Sequence, residues 1–524
     1  MERMSPGRRR RLVRTALLLI LVLAAGALWL RDRVGPAPSA TAARPPAAAR
    51  PDTAAAAAAA ERLEKRSWRL AVTTHPPGAQ LSIRAAGGAT RRAWTPFRGT
   101  LRGGELELTV ARAGRPPEQR TWRLRVTTHP PGALLSIRPA GGPARRARTP
   151  FRGTVAGGEL ELAVAKTGYN RLVRRLSLDR HRSLDLWLDP AGLLHHKLGE
   201  LRSGSNPKQV AFSPDGRELW VSLLGGHGVE VFDTRTMRRR KAIRLGKHGA
   251  VEVLFTRDGR TVYASQMETA SVWEIDRRSF KVRRQLPTKG NWSKVMALSP
   301  DERTLYVANW VSSDVSEIDL RRGRVRRLLK TVRTPRGLWP TADGRRLYVA
   351  GFQDGELQRI DLASGRARTL LRTGGAMRHL VGDPHGRRLY ADDMGTNQAF
   401  VVDLASERVR KLAGTDNVPN TIDLTPDGRV LYVSNRGRNG ASYYLPGPEW
   451  GSVLAIDTAS GKVLDAMVGG NQTTGLDVSA DGRLLAFSDF LDNRIHLYAV
   501  PAYRTLAAGG GGRAAAHRAE LAKR

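Results

Sequence analysis

Between about residue 207 and the C-terminal region the chain repeats one pattern of apolar and polar positions seven times. The stretch Ser299–Leu320, SPDERTLYVANWVSSDVSEIDL, shows it whole: a turn, an alternating run, a short loop and a second run. Alternation of this kind predicts half-buried β-strands. The turns are Ser213-Pro214-Asp215-Gly216, Thr256-Arg257-Asp258-Gly259, Ser299-Pro300-Asp301-Glu302, Thr341-Ala342-Asp343-Gly344, Asp383-Pro384-His385-Gly386, Thr425-Pro426-Asp427-Gly428 and Ser479-Ala480-Asp481-Gly482. Their third positions are 43, 43, 42, 42, 42 and 54 residues apart. Asp-Gly between alternating runs predicts a hairpin whose two central residues take positive φ. One sheet per copy predicts a ring of seven blades, a β-propeller.

In the first copy the strands read Lys208–Phe212 (inner), Leu219–Leu223, Val229–Asp233 and Lys241–Leu245 (outer). The third strand of most copies ends in Asp, as at Asp233, Asp276, Asp319, Asp361, Asp403 and Asp457. Each is expected to accept hydrogen bonds in the turn that follows. A ring needs a latch. Either Lys197–Arg202 or Tyr503–Ala507 supplies the last outer strand, and an N-terminal contribution is preferred.

A second repeat lies upstream. WRLAVTTHPPGAQLSIR from Trp68 returns as WRLRVTTHPPGALLSIR from Trp122, an offset of 54 residues. Short alternating runs with Pro-Gly and Gly-Gly punctuation predict two small β-sandwiches, 67–120 and 121–190, the second completed by Leu172–Leu188. His75 and His129 stand alone beside Pro-Pro and read as turn residues, not metal ligands. Before them, Arg8–Arg11 and Arg14 precede the uncharged run Thr15–Leu30, TALLLILVLAAGALWL. That predicts an export signal at 1–34, preferred as an uncleaved single-pass anchor over cleavage near Ala25-Gly26-Ala27. The arginines place its N-terminus in the cytoplasm. Residues 35–66 form an Ala/Pro-rich spacer, 195–507 the propeller, and 508–524 a flexible basic tail. The fold class is all-β with one N-terminal transmembrane helix.

The two sandwiches resemble PEGA domains. The pieces that carry the resemblance are Pro77-Gly78-Ala79, Pro131-Gly132-Ala133, the two Thr-Pro pairs and Gly168-Tyr169; Gly114-Arg115 departs from it. The larger repeat resembles the YVTN family of seven-bladed propellers. Leu305-Tyr306-Val307-Ala308-Asn309 and Leu431-Tyr432-Val433-Ser434-Asn435 match best, Leu347–Gly351 in part and Leu219–Leu223 loosely. The resemblance implies an extracytoplasmic propeller and leaves the ligand open, since that family includes binding proteins and relatives of enzymes.

Charge and composition then narrow the function. The net charge of +39 is spread over the chain as arginine, which favours anionic surfaces over one nucleic-acid stripe. The chain has no cysteine, which excludes disulfides, thiolate nucleophiles and Cys-ligated metal. No specific nucleic-acid partner, metal or cofactor is expected. The loops leading into the inner strands and those joining second to third strands share one propeller face. They bring forward Lys208, His248, Asn291, Trp292, Lys294, Trp310, Arg336, Phe352, Arg378, His379 and Asp393 as ligand-binding candidates, with Glu252 and Arg436 beside them. An insertion in the sixth copy, about residues 435–450, adds Tyr443, Tyr444 and Trp450. Aromatic, amide and basic groups together suit sugars, acidic polymers or peptides. The reading is a non-enzymatic binding or scaffold protein of the bacterial envelope, held on the inner membrane with its bulk in the periplasm, its partner a protein, cell wall or polysaccharide. A lactonase-like hydrolase or lyase with a divalent metal, using His248 with Glu252 or His379 with Asp393, is the alternative; a purely structural spacer is another. No catalytic residue is assigned.

Overall fold

The structure is a computed structural model, and it describes residues 67–72, 80–85, 91–94, 97–102, 106–111, 121–509 and 511–523. The anchor and spacer expected over 1–66 lie outside the described residues. Among the described residues no helix is long and apolar enough to cross a membrane. The chain divides into two compact units, 1–118 and 119–524.

In the first unit Ser67–Val72 pairs antiparallel with Phe97–Arg102, and Gln80–Ala85 lies between Arg91–Trp94 and Leu106–Ala111. The second unit opens with the same arrangement 54 residues on. Thr121–His129 pairs with Phe151–Ala156, while Leu134–Pro139 lies between Arg145–Arg148 and Gly158–Ala165. Two further strands complete this sandwich. Leu172–Leu178 extends one sheet, and Arg182–Trp187 joins the other in parallel with Thr121–His129. The alternating residues Leu124, Val126, Leu135, Ile137, Leu160, Leu162 and Val164 close its core. His129 ends its strand stacked on Trp187, 4.2 Å between rings, with Nε2 2.7 Å from Asp185 Oδ1.

Seven four-stranded sheets follow, their inner strands adjacent around a ring that returns from the seventh to the first. Middle strands are buried on both faces because each is covered by two neighbouring blades. Thr304–Asn309 is buried at all six positions. The outer strand Arg324–Lys330 alternates instead, one face in solvent. An aromatic ring sits at one recurring place in the second strand: Trp220, Tyr263, Tyr306, Tyr348, Tyr390 and Tyr432, each at most 5 % exposed. Burying such a ring between sheets contributes about 1.5–3 kcal/mol. The seventh blade has Ala486 there, packed under Phe212 and Phe232.

The turns differ in detail from the expected two-residue hairpin. Only the glycine takes positive φ, +66° at Gly216, and Gly216 N–H donates to Ser213 O (2.7 Å). Ser213 Oγ donates to Asp215 Oδ1 (2.6 Å) and accepts Glu218 N–H (3.0 Å). The Asp is therefore an acceptor inside a four-residue turn whose two central residues need no positive φ. The same bonds recur at Thr256, Ser299, Thr341, Thr425 and Ser479. Glu302 replaces glycine at φ +55° and uses its carboxylate to accept Arg257 N–H. The Asp residues that end the third strands accept turn N–H groups as expected, for example Ser279 N–H to Asp276 (2.7 Å).

The ring is latched from its N-terminal side. His196–Arg202 pairs antiparallel with Arg494–Ala499 as the outer strand of blade seven. Just before it, Leu194 and His195 N–H groups donate to Asp465 Oδ2 on blade six, and the buried His195 ring bridges Asp465 (2.7 Å) and Tyr432 OH (2.8 Å). Tyr503–Ala508 is helical. The tail expected to be free packs instead. Helices Gly512–Ala516 and Arg518–Leu521 lie on blade six, with Arg513 and His517 buried; His517 Nε2 is 2.7 Å from Asp416 Oδ2. Its composition concealed this, because the contacts come from spaced polar side chains and backbone groups and not from an apolar stripe.

Inner strands have a free edge towards the channel, and unpaired backbone groups there need partners. In blades five to one, neighbouring side chains supply them. Arg378 Nε donates to Asn420 O (2.9 Å), Asn420 Nδ2 to Thr474 O (2.9 Å), while Asp423 and Asp477 accept Val478 and Phe212 N–H (2.8 and 2.6 Å). A serine on the second strand does the same within blades: Ser222, Ser434 and Ser488 accept N–H groups of Gln209, Thr421 and Gly475. Blade five carries Asp392 there. Its Oδ1 accepts His379 N–H (2.6 Å), but buried Oδ2 has no partner. Burial pushes this carboxyl up to about 7. The folded state thus holds a proton that the unfolded chain releases near pH 4, so stability is full below that pH and falls as pH rises towards 7. Asp392→Ser is expected to raise Tm by about 2–4 °C at pH 8 and to change it little at pH 4, measured by thermal denaturation.

Candidate functional site

The residue five places before each turn lies at or just before the start of an inner strand, at the end of the channel away from the turns. Around the ring these residues are Lys208, Val251, Lys294, Arg336, Arg378, Asn420 and Thr474. Four are cations. Arg436, from the loop after the second strand of blade six, adds a fifth. Lys208, Arg336, Arg378 and Arg436 are 3–6 % exposed, and Lys294 is half-buried. Glu252, also buried, is the one carboxylate within 4 Å of any of the five among the described residues, 3.8 Å from Arg336 Nη2. Five cations against one carboxylate leave a formal excess of four positive charges.

Their hydrogen bonds go to neutral groups. Lys208 Nζ donates to Tyr443 OH (3.2 Å), Arg378 to Asn420 O, and Arg436 to Gln472 Oε1. Nε of Arg336 and Nε of Arg436 are buried without a partner. Elsewhere on the propeller the partly buried arginines are paired. Arg277 reaches Asp215 (2.7 Å) and Glu218 (2.8 Å), and Arg346, Arg359 and Arg368 surround Glu407. Burial first, and then the mutual repulsion of Arg336, Arg378 and Arg436, hold Lys208 and Arg378 well below their ordinary values and bring Lys294 down to about 6. Burial also raises Glu252, against the pull of Arg336 and Lys208.

Aromatic walls stand on two sides. On blades three and four, Trp310 packs on Phe352, 4.8 Å between rings, and Lys294 Nζ lies 3.6 Å from the Trp310 centroid and 5.5 Å from that of Trp292. Such contacts favour the charged amine. Opposite, Tyr443 lies 4.4 Å from Arg436 and packs edge-on against Tyr444 and Phe490. Tyr443 thereby lids the cations from the blade-six loop. Gln472 Nε2 donates to Tyr443 O (2.8 Å), and the tail holds the far end of the loop: Trp450 N–H donates to Leu521 O (2.8 Å) and Lys523 Nζ to Gly447 O (2.6 Å). Trp292, Tyr443, Tyr444 and Leu445 are exposed, 37–57 %.

Towards the turns a cavity of ≈590 Å³ continues the channel, lined by Gln209, Glu252, Leu254, Trp339 and His379. Gly382 makes room for Trp339, whose ring would lie 2.2 Å from an added Cβ. His379 Nδ1–H donates to Ile422 O (3.1 Å), and burial lowers this imidazole to about 4, so it is neutral.

Of the residues singled out from sequence, the structure brings Lys208, Lys294, Trp310, Arg336, Phe352, Arg378 and Tyr443 together, with Trp292 and Tyr444 at the rim. His379 lines the channel below. His248 and Asn291 are exposed loop residues whose backbone, not side chain, makes the recorded bonds. Asp393 is not open to a ligand: it is fully buried and accepts the Ala376, Gly395 and Thr396 N–H groups, so it shapes its own loop. Trp450 is taken by the tail, its ring under Lys523 (4.5 Å). Gln472 and the tail were missed. Repeat alignment points to the first as a blade-seven loop residue; nothing in the tail's composition points to it. No three His, Cys, Asp or Glu residues gather in metal-ligating geometry among the described residues.

A family model described as "Lactonase, 7-bladed beta-propeller" matches residues 172–342, about a third of the chain. Antigen Lp49 of Leptospira interrogans is 48% identical over 56 residues, 11% of this chain; the match spans 12% of that relative's length. Among solved structures, Kuenenia stuttgartiensis hydrazine synthase superposes with a TM-score of 0.50 at 19% identity, over 57% of this chain and 97% of that one. This likeness shows the propeller fold.

Burying an uncompensated cation costs stability. Lys294 is held below its unfolded value, so the folded state binds fewer protons between pH 6 and pH 10 and stability rises with pH across that window. Lys294→Gln is expected to raise Tm by about 2–4 °C at pH 6, with a gain that shrinks towards pH 10 in the same melting series.

Proposed function

We propose that this chain is a membrane-anchored, extracytoplasmic binding protein of the bacterial envelope, whose propeller mouth engages a protein, cell-wall or polysaccharide partner. One observation carries the reading: five cations with one carboxylate among them sit at the mouth between aromatic walls, whereas the other partly buried arginines of the propeller are each paired with a carboxylate. Maintaining such a group costs stability, and a ligand that neutralises it recovers that cost. The apolar run Thr15–Leu30 behind five arginines supports the anchor, and the spacer 35–66 gives reach. On this reading the sandwiches are PEGA-like stalk domains and the propeller is of the YVTN type. Trp292, Trp310 and Tyr444 furnish the stacking surface. Together changed to Ala, they are expected to reduce capture of envelope material by the full chain at least tenfold, with the melting temperature little changed. Equal capture would favour a purely structural spacer.

The lactonase family match favours a second reading, hydrolysis without a metal. A lactone carbonyl would lie against Arg336, Glu252 would take the proton of the attacking water and return it to the ring oxygen as the acyl C–O bond breaks, and the product would leave as a hydroxy acid. Lactone hydrolysis by the purified chain that disappears in Glu252→Gln would establish it; no turnover across a panel of five- and six-membered lactones would remove it.

A further inference from the structure

Resting on the reading of the mouth as the ligand site, we infer that the ring receives a multiply charged oxyanion, a phosphate ester or clustered carboxylates, carried at the end of a sugar-sized cyclic group. The charge sits on Arg336, Arg378 and Arg436, and the cyclic body lies against Trp310.

Charge fixes the first part. Three buried guanidinium groups beside two amines and one carboxylate are poorly matched by one monovalent group, whereas a dianion or trianion removes most of the repulsion. The unpartnered Nε of Arg336 and of Arg436 are donors with no other use, and guanidinium forks suit tetrahedral or planar oxyanions. Burial fixes the second. Arg336, Arg378 and Arg436 are 3–6 % exposed, so a polymer lying across the face does not reach them; a narrow terminal group does. Trp310, held against Phe352, offers a fixed ring for a sugar to stack on. The incoming anion replaces the Tyr443 hydroxyl as partner of Lys208.

Ligand charge also changes an amine. Lys294, held at about 6, regains its proton beside an anion, so binding takes up a proton near pH 8 and weakens as pH rises from 6 to 9.

The test is calorimetric titration of the full chain in detergent, at constant ionic strength, with glucose 6-phosphate, citrate, glucose and acetate. The phosphate ester, citrate or both are expected to bind at least tenfold more tightly than glucose or acetate. Which of the two binds identifies phosphate or carboxylate chemistry. At pH 8 the heat should depend on the buffer's ionisation enthalpy. Arg336→Gln and Arg436→Gln should each weaken binding at least tenfold, Arg336→Lys less so, and the exposed Arg238→Gln not at all; matching melting curves show that the variants are folded. Binding no tighter than acetate, or equal weakening by Arg238→Gln, overturns the inference. Envelope capture that survives Arg336→Gln, with no dianion binding, overturns it too and leaves the wider reading of the mouth standing.

Discussion

Like charges at the channel mouth repel, and the propeller ring is what holds them together. At an effective dielectric of about 20, two unit charges 5 Å apart repel by about 3 kcal/mol. Free side chains would swing away into water. Here four of the five cations start from different inner strands and Arg436 from the loop after a second strand, and the strands are fixed by closure of the ring. The latch His196–Arg202 and the buried His195–Asp465–Tyr432 contact set the circumference. Bonds from side chains to neighbouring inner edges set the spacing within it.

Those inner edges give some residues two duties. Arg378 caps Asn420 O with Nε while its charge faces the mouth, so its position is fixed before any ligand arrives. Asp423 and Asp477 hold blades six, seven and one together but, being buried near each other, resist ionising: Asp423 is pushed up to about 6 and Asp477 well above the carboxylate range. Arg336 and Arg436 differ from Arg378 in leaving a buried Nε without a partner. That distinction separates groups explained by the fold from groups that the fold leaves unexplained.

Much of the architecture was legible in the sequence because a propeller is periodic. Seven turns at a nearly constant step give the blades, and the strand alternation gives their order from channel to rim. What a period does not encode stayed hidden. The latch was one of two candidate strands, and the decision lies in Asp465, 270 residues from His195. Asp393 looked like a mouth residue by alignment, yet its carboxylate turns inward to three backbone N–H groups. The cations were visible one by one at equivalent positions, but their lack of carboxylate partners depends on which side chains meet across blades. The tail was hidden for the same reason, its contacts being single polar side chains and backbone groups that meet the blade-six loop.

Anomalous diffraction from crystals of the full chain soaked in tungstate, a tetrahedral dianion, tests the central claim most directly. The account predicts a strong anomalous peak within hydrogen-bond reach of Arg336, Arg378 and Arg436, with the Tyr443 hydroxyl moved off Lys208. Peaks confined to exposed arginines of the outer strands, with the mouth empty, would contradict it.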